Sequence, residues 1–175
     1  MCLARDRTVE VHLKQFEPAV VALAQVLRER GWTIATAESC TGGLIAAACT
    51  AVAGSSDWFE RGFVTYSNDA KADMLGVDTA LIAVVGAVST EVAQAMAEGA
   101  LAHSKAQLAV AVTGIAGPGG ATPGKPVGTV WLAVAQAGGP TQAEVLALAG
   151  DRASIRAQTV HHALRRLTER ALAGC

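Results

Sequence analysis

Hydrophobic positions recur along this chain with two different periods, and the changes of period mark out its elements. Val20, Leu23, Ala24 and Leu27 fall on one face of a 3.6-residue repeat, Pro18 suits a first helical turn and Gly31 a stop, which predicts an amphipathic helix over residues 17–30. Residues 32–36 form a short extended run ending in Ala37-Glu38-Ser39-Cys40-Thr41-Gly42-Gly43. After it, residues 44–53 are alanine-rich and helical until Gly54-Ser55-Ser56-Asp57 breaks the pattern. Residues 63–66 carry the β-branched and aromatic types that favour strands, and the Asn68-Asp69 pair can cap a short helix bearing Lys71 and Leu75. Ser89 is placed to cap a helix with Glu91 in its first turn, running to about His103. A strand is predicted at 108–113, a glycine-proline loop at 114–126, and two strands at 127–135 and 144–148 that should form a hairpin. Asp151 can cap a last helix, in which Val160, Ala163, Leu164, Leu167 and Ala171 recur at helical spacing.

Helices interleaved with strands predict an α/β fold, a three-layer α/β/α sandwich whose sheet is mixed and partly parallel, with active groups gathered at loops off the strand ends. A chain of 175 residues suffices for one domain, expected over 17–175 after an N-terminal tail at 1–16. The 51% hydrophobic fraction is mainly alanine, valine and leucine while aromatics are 4%, so small side chains should pack closely and deep aromatic clefts are not expected.

Charge and cysteine usage narrow the functional classes. The 14 basic and 15 acidic residues leave a net charge of -1 with no basic run, which argues against nucleic acid as a partner. Cys2, Cys40, Cys49 and Cys175 form no CxxC pair, so neither a disulfide framework nor a metal site is indicated. The start of the chain is charged from Arg5 onward and no run of about 18 apolar residues follows, so a cytoplasmic protein with no membrane partner is expected.

Three segments could carry chemistry. The Ser39 turn sits between a strand and a helix start, where unpaired N–H groups could stabilise an oxyanion or phosphate, although Ser, Thr and Gly are also ordinary helix-start residues. A serine needs a base, and His12, His103, His161 and His162 lie in polar or helix-end settings that do not favour a Ser-His-Asp triad. Lys71 is the alternative base, since a lysine in a dry pocket can lose its proton near neutral pH, and Tyr66 is near enough in sequence to assist; a solvated surface lysine is the competing reading. Gly119 to Lys125 matches GxxxxGK, but Pro126 replaces the Ser or Thr that would hold magnesium and a strand follows where a helix is required. That loop can still present N–H groups to an anion, or merely connect strands. Arg152 and Arg156, at the start of the last helix, could hold a phosphate, cross a subunit interface, or lie on a solvated face.

The sequence resembles the nicotinamide-nucleotide amidohydrolases (PncC), which also form the C-terminal domain of the competence-damage protein CinA. The resemblance is carried by TAESCTGG at 36–43, GSSDWFERGFVTYSNDAKADMLGV at 54–77, GAVSTEVAQAMAEGA at 86–100, AVTGIAGPGG at 111–120 and KPVGTVWLAV at 125–134. It implies a Ser/Lys amidohydrolase, without metal or cofactor, that converts nicotinamide mononucleotide to nicotinate mononucleotide and ammonia. By motif, Ser39 matches the nucleophile, Lys71 the general base and Tyr66 an assisting tyrosine. Thr113, Gly114 and Gly117 in the glycine loop, and Thr41, Gly42 and Gly43 after the nucleophile, are expected to bind substrate. A non-catalytic nucleotide-binding accessory protein linked to competence or DNA damage, or a hydrolase of a different small amide, is the alternative. A homodimer or higher homo-oligomer is expected.

Overall fold

Gly31, in the left-handed conformation at φ 64°, receives the end of the first helix, and its N–H closes on the Arg28 and Leu27 carbonyls. The computed structural model describes residues 13–173. A 3-10 turn at Leu13–Phe16 leads into α1 (Glu17–Arg30), β1 (Ile34–Glu38), α2 (Leu44–Thr50), β2 (Phe59–Val64), α3 (Asn68–Leu75), α4 (Thr79–Val85) and α5 (Thr90–Ala102). Then follow β3 (Leu108–Gly114), β4 (Thr129–Gln136), β5 (Gln142–Ala147) and α6 (Arg152–Ala173). Phe16 is fully buried in the core, so residues 13–16 pack as part of the domain although the sequence placed them in a tail.

The five strands lie in the order β2-β1-β3-β4-β5. β1 pairs in parallel with both β2 and β3, and β4 runs antiparallel to β3 and to β5, so the expected mixed sheet with a terminal hairpin is present. Alternation along the strands divides the core into two layers. Ile34, Leu108, Val110, Val112, Val130, Leu132 and Val134 face α1, α2 and α6. The opposite face is nearly all alanine, with Ala35, Ala37, Ala109, Ala111, Ala133 and Ala135 packed against Val92, Ala93, Met96, Ala97 and Ala100 of α5. Such small residues let the helix lie close on the sheet, the packing that an alanine-rich chain of few aromatics implies. Gly99 continues this closeness toward α3, where a Cβ would stand 2.1 Å from the Leu75 carbonyl oxygen.

Several boundaries differ from the sequence reading. β1 begins two residues later than expected, because Thr33 is tied through its N–H to the Gln107 side chain at 2.7 Å and the ladder starts beyond it. β2 lies earlier, at Phe59–Val64; Thr65 keeps one bond to β1, its N–H donating to Glu38 O at 2.9 Å, and Tyr66 lies outside the strand. α2 stops at Thr50, short of residue 53, where a turn and a short 3-10 segment at Ser55–Asp57 lead to the fully buried Trp58. The cap of α3 is Ser67, whose Oγ accepts from Ala70 N–H, and not the Asn68-Asp69 pair. α4 was not anticipated, since its apolar run has no helical period; Asp78 caps it through the Ala80 N–H at 2.8 Å. Ser89 and Asp151 cap α5 and α6 as expected, accepting from Val92 N–H and Ser154 N–H.

Candidate functional site

Parallel pairing brings the carboxyl ends of β1, β2 and β3 to one edge of the sheet, where a doubly wound topology places its ligands. Ser39 follows β1 and continues its pairing, its N–H donating to Val112 O at 3.0 Å. Lys71 follows β2 on α3, and the glycine loop follows β3.

The turn after Ser39 is organised by Glu38, a fully buried residue. Its carboxylate accepts from Thr41 Oγ1 at 2.6 Å and from the N–H groups of Gly43, Ile45 and Ala46 at 3.1, 3.0 and 2.8 Å. These donors belong to the turn and the first turn of α2, so the carboxylate caps the helix from inside and its charge meets the positive end of the helix dipole. Gly42 and Gly43, at φ 58° and 94°, make the left-handed bend that lets the chain reverse over this carboxylate. The helix-start N–H groups expected from the sequence to serve an oxyanion are therefore occupied by Glu38. Sequence reading missed this residue; the only signal was an acid directly preceding Ser39 at a strand end.

Lys71 is 1% exposed, and its Nζ lies 3.2 Å from Ser39 Oγ. Two backbone carbonyls complete its surroundings, Thr65 O at 2.9 Å and Ser67 O at 3.5 Å. Among the described residues it forms no ion pair. Burial holds its pKa below the ordinary lysine value, opposed by the neighbouring Cys40 side chain. Nζ donates to all three oxygens, and once the amine has lost a proton its lone pair can accept the serine hydroxyl proton instead. Lys71 is thus set into the domain, contrary to the surface-lysine reading, and stands beside the serine hydroxyl.

Tyr66 is 61% exposed, and its hydroxyl accepts from Arg152 Nη2 at 3.0 Å instead of meeting Lys71 or Ser39. Thr113 stands beside Ser39 on the neighbouring strand, yet it is 1% exposed and its hydroxyl donates to Ala87 O at 2.8 Å, which ties down the α4–α5 link. Thr41 is buried on Glu38, while Gly42 is exposed at the site's surface. Gly114 ends β3 against Thr129 and Val130, with no room for a Cβ, and the Gly117 carbonyl accepts from Arg152 Nη1 at 3.0 Å. Arg156 Nη2 donates to the Thr41 carbonyl at 2.7 Å, and its Nε is buried with no partner. Neither arginine forms an ion pair among the described residues. The two guanidiniums thus converge on the loops around Ser39; Arg152 is exposed, as the solvated-face reading expects, while Arg156 is half-buried, which that reading does not account for.

The histidines stand elsewhere. His161 packs its ring on Phe16, His162 meets Arg165, and His103 Nδ1 meets the Gly99 carbonyl; His12 lies outside the described residues. Cys40 and Cys49 are buried free thiols, and burial pushes Cys40 up to about 11, so the thiol next to the serine stays protonated at neutral pH. Cys2 and Cys175 lie outside the described residues. A cavity of about 490 Å³ between β4, β5 and the C-terminal half of α6 is lined by Leu132, Val134, Glu144 and Arg166. It lies toward the other end of the sheet; Arg166 pairs there with Glu144 and Glu169, while Arg170 donates Nη2 to the Pro140 carbonyl at 3.1 Å and keeps a buried Nε without a partner among the described residues. No described helix is long and apolar enough to cross a membrane.

The fold and this edge define a class: an α/β domain that presents a serine beside a buried lysine, in no ion pair among the described residues, at the carboxyl ends of parallel strands. The chain belongs to the CinA C-terminal domain family, whose model matches residues 17–171. It is 51% identical over 150 residues to the nicotinamide-nucleotide amidohydrolase PncC of Escherichia coli K12, covering 86% of this chain and 91% of that protein. It is 56% identical over 151 residues to a putative competence-damage inducible protein of Symbiobacterium thermophilum, of whose length it spans only 35%. The solved structure of the competence/damage inducible protein CihA from Agrobacterium tumefaciens superposes with a TM-score of 0.82 at 48% identity, covering 86% of this chain and 94% of that one.

Proposed function

We propose that this chain is an amidohydrolase that converts nicotinamide mononucleotide to nicotinate mononucleotide and ammonia, with Ser39 as nucleophile and Lys71 as general base. The observation that carries the reading is the 3.2 Å separation of Lys71 Nζ and Ser39 Oγ, with the lysine buried and without an acidic partner among the described residues. The 51% identity to the Escherichia coli amidohydrolase supports the choice of substrate.

Neutral Lys71 takes the Ser39 hydroxyl proton as Oγ bonds to the carboxamide carbon. The tetrahedral intermediate collapses with cleavage of the C–N bond, and Lys71 returns the proton to the leaving nitrogen, which departs as ammonia. Water then gives a proton to Lys71 and attacks the acyl carbon; the ester C–O bond breaks, and Ser39 recovers its proton while nicotinate mononucleotide leaves. The Cys40 N–H, on the residue that follows Ser39, supplies a donor to the developing oxyanion. Arg152 and Arg156 supply positive charge for the substrate phosphate. Cell placement in the cytoplasm and a role in pyridine-nucleotide salvage accompany this reading.

The test is a coupled ammonia assay of purified, chelator-treated protein with nicotinamide mononucleotide, run beside Ser39→Ala and Lys71→Ala. Turnover lost in both variants is expected. Full turnover by folded Ser39→Ala would overturn the mechanism, and no ammonia from the parent protein would overturn the substrate.

A further inference from the structure

We propose that Tyr66 is a stacking platform for the cationic pyridinium ring of the substrate, a specificity-determining residue and not a proton carrier; the proposal rests on the amidohydrolase reading above. A proton carrier would have to reach the reacting pair, and the contacts of Lys71 Nζ are otherwise complete. They are Ser39 Oγ, Thr65 O and Ser67 O. The Tyr66 hydroxyl is turned to Arg152 Nη2, and Arg152 holds the Gly117 carbonyl with its other terminal nitrogen.

The same contacts anchor the ring where a platform is needed. Thr65 and Ser67, on either side of Tyr66, both direct their carbonyls at the lysine amine, so the ring leaves the backbone between the two groups that hold the base. Its hydroxyl is tied at the far end by Arg152, and the residue is 61% exposed. Among the described residues it is the one aromatic side chain exposed to this degree; Phe16 and Trp58 are fully buried and Phe63 is 9% exposed. An exposed aromatic residue whose backbone flanks the catalytic pair and whose hydroxyl is tied at the far end is placed to receive a flat ligand. A pyridinium carries a full positive charge in an apolar ring, the combination that a tyrosine face attracts both by its quadrupole and by desolvation. The carboxamide lies in the plane of that ring, so stacking also sets the direction in which its carbon meets Ser39 Oγ.

The experiment compares the parent protein, Tyr66→Phe and Tyr66→Leu in steady-state turnover of nicotinamide mononucleotide. Competitive inhibition by the reduced mononucleotide, whose dihydropyridine ring is neutral, is measured alongside. Tyr66→Leu is expected to raise KM by about tenfold with kcat changed less than about threefold, the size of a partly desolvated cation–π contact. Tyr66→Phe, which keeps the ring, should recover most of that loss, and the inhibition constant of the neutral analogue should move less than about threefold in either variant. A fall in kcat in Tyr66→Phe as large as in Tyr66→Leu would assign the hydroxyl a proton role and overturn the proposal. Equal weakening of the charged and neutral ligands by Tyr66→Leu would overturn it as well. Absence of ammonia from the folded parent protein would instead refute the amidohydrolase reading on which it stands.

Discussion

Arg156 donates Nη2 to the Thr41 carbonyl at 2.7 Å across 115 residues of sequence, joining the start of α6 to the turn that carries Ser39. With Arg152 it places two guanidiniums, neither in an ion pair among the described residues, beside a turn whose own acid is enclosed. Arg156→Leu is therefore expected to lower kcat/KM for nicotinamide mononucleotide about 10- to 100-fold, the value of a charge-assisted hydrogen bond. The loss should be at least about tenfold smaller for the corresponding riboside, which lacks the phosphate. Equal losses for both substrates would mean that Arg156 only braces the turn.

Lys71 ties activity and stability to pH in the same direction. Burial lowers its folded pKa beneath the ordinary 10.5, so kcat/KM should rise with pH and level off below that value as the amine becomes neutral. Between the folded pKa and the unfolded one, the unfolded chain binds more protons, so this group makes stability increase with pH. Lys71→Met, which removes the buried amine, should be more stable than the parent at neutral pH, with the difference shrinking as pH climbs toward 10.5. Denaturant unfolding of both proteins across this range is the measurement, and a difference independent of pH would contradict it.

Glu38 accepts four hydrogen bonds in a fully buried position. Glu38→Gln replaces one acceptor oxygen by an NH2 group that faces N–H donors, and the expected loss of stability is about 2–4 kcal/mol. Because the turn carries Ser39, kcat should fall as well, by about tenfold or more. Urea unfolding and ammonia release measured on the same preparations check both effects; a variant as stable and active as the parent would show that the carboxylate is dispensable.

Gly99 sets how closely α5 approaches the end of α3. Gly99→Ala forces a Cβ to 2.1 Å from the Leu75 carbonyl oxygen, so either the helices separate or α3 shifts. A destabilisation of about 2–3 kcal/mol is expected from such overpacking. A lowered kcat should accompany it, because α3 carries Lys71. Unchanged melting with normal turnover would mean that the contact relaxes without cost.

Periodicity alone determined much of the frame. The buried face of α1, the caps at Ser89 and Asp151, and the hairpin of β4 and β5 follow from local spacing and from residues that satisfy their own neighbourhood. The ends of β1 and β2 did not, because ladder pairing and the tie from Thr33 to Gln107 decide where a strand starts, and those partners are distant in sequence. In the same way the motifs put Ser39 and Lys71 forward as residue types able to react, but a lysine in a short polar helix looks the same whether wet or dry. Only the tertiary structure decided that Lys71 is enclosed beside the serine, that Glu38 takes up the helix-start donors, and that Tyr66 turns to Arg152. Burial and long-range hydrogen bonding depend on what the remainder of the chain brings to a position, and no local pattern records that.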